Sequence, residues 1–145
     1  MKLLNFEHMV LPTRHLDECL HFYKEILRLP LSLEEGRYVF FSHTLRIEIL
    51  NLADTSFSLL SCPVSHRINL RIVVDKPIDT VIKRLKERGA APVSPVIQRI
   101  GIRGPMKSVY LEDPDKNLVE IAYFPYAGKK TAFFRETTEE DWIYE

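Results

Sequence analysis

At 145 residues, 46% apolar and 28% charged, the chain has the size and composition of one globular domain rather than a disordered or membrane-spanning one. Twenty Lys plus Arg against twenty Asp plus Glu leave no net field to draw in a nucleic-acid backbone or an anionic bilayer, so neither is an expected partner. The longest apolar runs are too short to span a membrane, Met1 to Leu4 runs into Glu7 without a signal-peptide stretch, and Cys19 and Cys62 offer neither zinc spacing nor a disulfide framework; a cytoplasmic protein with idle thiols is expected.

In chain order, Phe6 to Leu11 alternates as a strand, with Phe6, His8 and Val10 on one face and Met9 and Leu11 on the other. Leu16, Cys19, Leu20, Tyr23, Ile26 and Leu27 then recur at steps of three and four, one stripe of a helix that leaves His21, Lys24 and Glu25 to solvent. Strands follow around Arg37 to Ser42 and Thr44 to Leu50, and in the latter Leu45, Ile47 and Ile49 oppose Arg46, Glu48 and Leu50. Ser-Cys-Pro-Val-Ser-His at 61–66 reads as a linker.

The same order of patterns then returns. Ile68 to Val74 forms a strand with Asn69, Arg71 and Val73 opposite an apolar row. Pro77 to Arg88 forms a helix, with Asp75 as N-cap, Gly89 at its left-handed end, and Lys83, Arg84, Lys86, Glu87 and Arg88 as a solvated face. Strands near Pro95 to Arg99, Lys107 to Leu111 and Leu118 to Phe124 close the unit. In the last of these, Leu118, Glu120, Ala122 and Phe124 oppose Val119, Ile121 and Tyr123. Asp113-Pro114-Asp115-Lys116-Asn117 is a turn in which Pro presets one dihedral and Asn tolerates a positive one. A single domain, 1–125, is thus expected from modules at about 4–60 and 67–125, with an aromatic, acidic extension at 126–145. Neither half has a second helix to cover its sheet, so the polar rows should line a shared cleft.

Phe6-Glu7-His8-Met9-Val10-Leu11, the helix carrying Phe22-Tyr23, and the closing Val109 to Ile121 with its Asp113 to Asn117 turn resemble vicinal oxygen chelate proteins. These are the glyoxalase, bleomycin-resistance and extradiol-dioxygenase superfamily, and the resemblance covers about residues 4–125. It implies an α+β fold of two βαβββ modules forming an incomplete barrel around a cleft, a homodimer, and a divalent metal (Mn, Fe, Ni, Zn or Mg) held by His8, Glu48 and Glu120. Asn69 falls on the fourth matching position, where relatives use His or Gln, because imidazole is a far better ligand for borderline ions than an amide. The alternation above independently places all four on the face away from the helices. Lys116 and Arg28 stand where glycines are common in relatives. His66, three positions from Asn69, faces the other way on an uninterrupted strand.

The resemblance further implies a glyoxalase-like enzyme in which the metal acts as a Lewis acid on a small oxygenated substrate, by isomerase, lyase or dioxygenase chemistry. Glu48 or Glu120 would move the proton. Asn69, Arg71, Arg103, Tyr110 and Tyr38 are the candidates to contact substrate, the arginines by gripping an anion. Other readings of the same residues stay open: His8 as a satisfied buried histidine, and Glu48 and Glu120 as members of an ion-pair network with Arg46 and Arg71. The alternative function is a metal-free binding or sequestration protein of the bleomycin-resistance kind; a third is an interaction module whose cleft the extension closes.

Overall fold

The repeated strand and helix patterns become two four-stranded sheets in the computed structural model, which describes residues 1–42, 45–53, 67–101 and 104–125. Expectations for Arg103, Cys62, His66, the 61–66 linker and the 126–145 extension lie outside the described residues. Sheet A is built from β1 (His8–Thr13), β2 (Leu31–Glu34), β3 (Arg37–Ser42) and β4 (Leu45–Asn51) in the order β1-β4-β3-β2. Sheet B is built from β5 (Asn69–Val74), β6 (Ile97–Gly101), β7 (Gly104–Glu112) and β8 (Leu118–Tyr123) in the order β5-β8-β7-β6. In each sheet the first and last strands pair in parallel and the rest antiparallel, so the two modules share one topology. The architecture is α+β with mixed sheets and no closed barrel, and no described helix is long and apolar enough to cross a membrane.

Two local departures from the sequence reading have physical causes. β2, a third strand after the first helix, is a four-residue run between Pro30 and the Glu35–Gly36 turn, too short for alternation to announce it. The first helix, α1 (Leu16–His21), runs into a π turn at Phe22–Ile26, where the Leu27 amide donates to the Phe22 carbonyl at 3.0 Å. Phe22 is buried beside Tyr23 and Ile26; it lies three residues after Cys19 and four before Ile26 and so belongs to the stripe as well. The second helix, α2 (Ile78–Glu87), begins after Pro77 with no side-chain cap, so Asp75 does not cap it, whereas Gly89 takes the expected positive φ of 89°.

The helix-facing rows of both sheets feed one core. Leu11, Phe40, Ile47 and Ile49 from sheet A meet Val109, Leu111, Val119 and Ile121 from sheet B, with Tyr23 and Ile26 of the first helix and Leu85 of α2 among them. Cys19 is fully buried there, and burial pushes its thiol up to about 12, consistent with an idle side chain.

A polar clamp fixes one module on the other. The Asp113 carboxylate accepts from the Tyr23 hydroxyl at 2.7 Å, from the Asp115 and Asn117 amides at 2.9 Å, and from Asn117 Nδ2 at 2.9 Å. Asp115 accepts from the Thr13 hydroxyl at 2.5 Å and the Arg14 amide at 2.9 Å, and Asn117 Oδ1 accepts from the Ile68 amide. Burial, then the Asp113 charge, pushes the Tyr23 hydroxyl far above its ordinary value, so it remains a donor. Asn117 therefore spends its side chain on the clamp, and Lys116 takes the positive φ, 67°, in its place. Left-handed backbone disfavours any residue with a Cβ, as it also does at Glu35 (φ 50°) in the two-residue turn before β3. Lys116→Gly is expected to raise unfolding free energy by about 0.5–1 kcal/mol, and Glu35→Asn by about 0.5 kcal/mol, read as higher urea midpoints at unchanged slope.

Candidate functional site

Strand pairing decides which side chains share the outer faces, here called open, those turned away from the common core; on sheet B part of that face is itself buried, at Met106, Ser108, Glu120, Ala122 and Phe124. On sheet A, Val10 of β1, Glu48 of β4 and Val39 of β3 stand in one row, and His8, Arg46 and Phe41 in the next. His8 Nε2 lies 3.2 Å from Glu48 Oε2, and Arg37 Nη1 donates to Glu48 Oε1 at 2.9 Å. The Glu48 side chain is only 13% exposed, so its charge is held by these neighbours more than by water. Arg46 shares Glu48's face as expected, but it reaches Glu34 on β2 and stacks on Phe41 at 5.4 Å, leaving Glu48 to Arg37. Tyr38, expected at the cleft, is on the helix-facing row, paired with Leu33 and packed against the core; its parity with Phe40 fixes this.

On sheet B, Arg71, Glu120 and Tyr110 stand straight across β5, β8 and β7. Arg71 Nε lies 3.2 Å from Glu120 Oε1, and the Tyr110 hydroxyl donates to the same oxygen at 3.1 Å. Arg99 of β6 stacks on the Tyr110 ring at 5.5 Å. Burial, then hydrogen bonding to Glu120 and the charge of that carboxylate, raises the Tyr110 hydroxyl above its ordinary value against the pull of Arg99 and Arg71. Glu120 is 2% exposed, and its second oxygen, Oε2, is buried without a hydrogen-bond partner. The Ser108 hydroxyl, in the neighbouring row of the same face, is also buried without one. Two orphaned polar atoms in neighbouring rows of one face call for a donor or acceptor from elsewhere. Asn69 is exposed at the start of β5, paired with Leu118 and one row from Arg71.

The structure thus joins His8 to Glu48, and Arg71 and Tyr110 to Glu120, but in separate sheets. Among the described residues no group of three or more His, Cys, Asp and Glu stands together to hold a metal. The donor set also fits a resident divalent ion poorly. Each carboxylate already faces a guanidinium at 2.9 or 3.2 Å, and a doubly charged ion on the carboxylate's other side, about 6 Å from that cation, would be repelled by roughly 5 kcal/mol at an effective dielectric of about 20. Asn69 adds only an amide oxygen. Arg37, Arg99 and Ser108 escaped the sequence reading, although the alternation of Arg37 with Val39 and Phe41, and of Ser108 with Tyr110, carries the signal.

A family model described as glyoxalase-like domain matches residues 6–123. Virulence protein STM3117 of Salmonella typhimurium is 24% identical over 119 residues, covering 81% of this chain and 83% of that protein. Its crystal structure superposes with a TM-score of 0.73 at 22% identity, over 86% of this chain and 99% of that one. Glyoxalase domain-containing protein RDO1 of Mycosarcoma maydis is 23% identical over 124 residues, 86% of this chain and 70% of that protein. A glyoxalase/bleomycin resistance protein/dioxygenase from Alicyclobacillus acidocaldarius superposes with a TM-score of 0.58 at 22% identity, over 83% of this chain and 92% of that chain. At these identities the structural likeness establishes the fold and nothing finer.

Proposed function

The chain belongs to the glyoxalase-like domain family, within the vicinal oxygen chelate superfamily, and from that premise we propose that it is a metal-free member that binds a small molecule between its open sheet faces. The observation that carries this reading is the guanidinium on each acidic candidate, Arg37 on Glu48 and Arg71 on Glu120, which neutralises in place the charges a metal would otherwise need. Aromatic and apolar side chains, Tyr110, Phe41 and Val10, supply contact area, and the Arg71 guanidinium, whose side chain is 44% exposed, donates to a ligand oxygen.

A second copy of the chain completes the cleft in this reading. Val10, Val73 and Leu118 are 43%, 51% and 37% exposed on faces that their own module leaves open. Sheet A of one copy against sheet B of another would cover them and bring the two half-sites together.

Elemental analysis of chain purified without chelator, and again after soaking with Mn, Fe, Ni, Zn or Mg, tests the proposal. Substoichiometric metal throughout, together with a dimer mass by light scattering, is the expected result. Stoichiometric metal that is lost from Glu48→Ala and Glu120→Ala variants would overturn it.

A further inference from the structure

On the opposite side of sheet B from Glu120 lies a second recess, with a volume of about 260 Å³, where the end of the first helix meets β5 and α2. Its floor is apolar: Ile26 from the π turn, Ile72 and Val74 from β5, and Val81 and Leu85 from α2. Its rim is cationic, with Arg28, Lys76, Arg84 and Arg88 against the single carboxylate of Asp75. We propose that this recess binds a small amphipathic anion, a carboxylate on a short apolar body.

The charge pattern points to the head group. The whole chain is neutral, so four cations to one acid at a single opening is a local excess. The side chains of Arg28, Lys76, Arg84 and Asp75 form no ion pair or hydrogen bond among the described residues, so the cations are not spent on an internal partner. Arg88 is anchored: its Nη1 donates to the Ile26 carbonyl at 2.9 Å, which fixes its guanidinium at the seam between the modules and leaves its other nitrogens to donate. Arg84 and Arg88 are one helical turn apart on α2, on the side that carries Val81 and Leu85 into the floor. The same helix leaves Lys83, Lys86 and Glu87 exposed. Of the run of charges that reads in sequence as one solvated face, Arg84, itself exposed, and the half-buried Arg88 border the recess.

Arg28 supplies an independent observation. Its φ is +61°, a conformation that disfavours every side chain. Glycine would satisfy the backbone there; what arginine adds is a guanidinium at the mouth of the recess. The size sets the tail. A volume of 260 Å³ is that of roughly nine waters, enough for a body of about eight carbons and too small for a long acyl chain.

Titration of the full chain with octanoate, 1-octanol, octylamine and acetate separates head from tail. Octanoate is expected to raise the melting temperature and to move amide resonances of residues 26–28, 72–76 and 81–88, whereas acetate, octanol and octylamine leave both nearly unchanged. Arg84→Gln and Arg28→Gly, each compared with its own ligand-free form, are expected to weaken octanoate binding about tenfold by loss of a charge-assisted contact. Octanol matching octanoate, resonance shifts confined to the open face of sheet B, or wild-type affinity in both variants would each overturn the proposal. None of these outcomes depends on what occupies the other face of the sheet.

Discussion

Asp113→Ala is expected to cost about 3–5 kcal/mol of unfolding free energy, the largest loss from any single polar substitution in the described chain. The carboxylate gathers four donors, and it is itself only 3% exposed. Truncation leaves the buried Tyr23 hydroxyl without an acceptor and two turn amides without theirs, so the desolvation penalty of each group appears in full. Tyr23→Phe removes one donor and leaves Asp113 with three, and is expected to cost about 1.5–3 kcal/mol. Urea unfolding followed by circular dichroism checks both. Equal losses for the two variants would mean that the turn amides find water and that only the hydroxyl matters.

The second large effect concerns Arg71. Its partner Glu120 is almost fully buried, so Arg71→Ala leaves a carboxylate beneath the surface with the Tyr110 hydroxyl as its one remaining donor. A loss of about 1–3 kcal/mol is expected, below that of a fully buried pair because the Arg71 side chain is 44% exposed and water can reach the vacated position. Glu120→Gln removes the charge while keeping the shape, and should cost under about 1 kcal/mol. In that background Arg71→Ala should become nearly silent, so the double-mutant cycle returns most of the Arg71 loss as coupling. An Arg71 loss of the same size in both backgrounds would show that the arginine acts by packing its stem, and the neutralisation argument for the cleft would fall with it.

How far the sequence reached depends on which interaction places each residue. Alternation sorted His8, Glu48, Arg71 and Glu120 correctly onto the open faces, since period two in a strand leaves no other arrangement. The same rule, applied to β3, would have assigned Tyr38 to the core and Arg37 to the site; reading an isolated tyrosine for its chemistry rather than its parity produced the error. Arg46 was matched to Glu48 because both were visible on one strand, whereas its observed partner, Glu34, comes from β2, which was not recognised. The π turn was out of reach, because a one-residue widening leaves no mark in a pattern of apolar steps. Glu48 and Glu120 each lie in the matching place of their own module, and the alternation of a strand carries nothing about how two sheets are set against each other.

The clamp has a consequence for the order of assembly. Thr13 and Asp115 are 102 positions apart, and Tyr23 and Asp113 are 90 apart, so the N-terminal sheet is locked by groups that leave the ribosome long after it does. Two halves with the same topology might be expected to ripen one after the other, yet the earlier one keeps a hydroxyl waiting in its interior until the final hairpin closes. Such distant closure is expected to slow folding and to join the two modules into one cooperative transition, read as coincident unfolding curves from probes placed in either sheet.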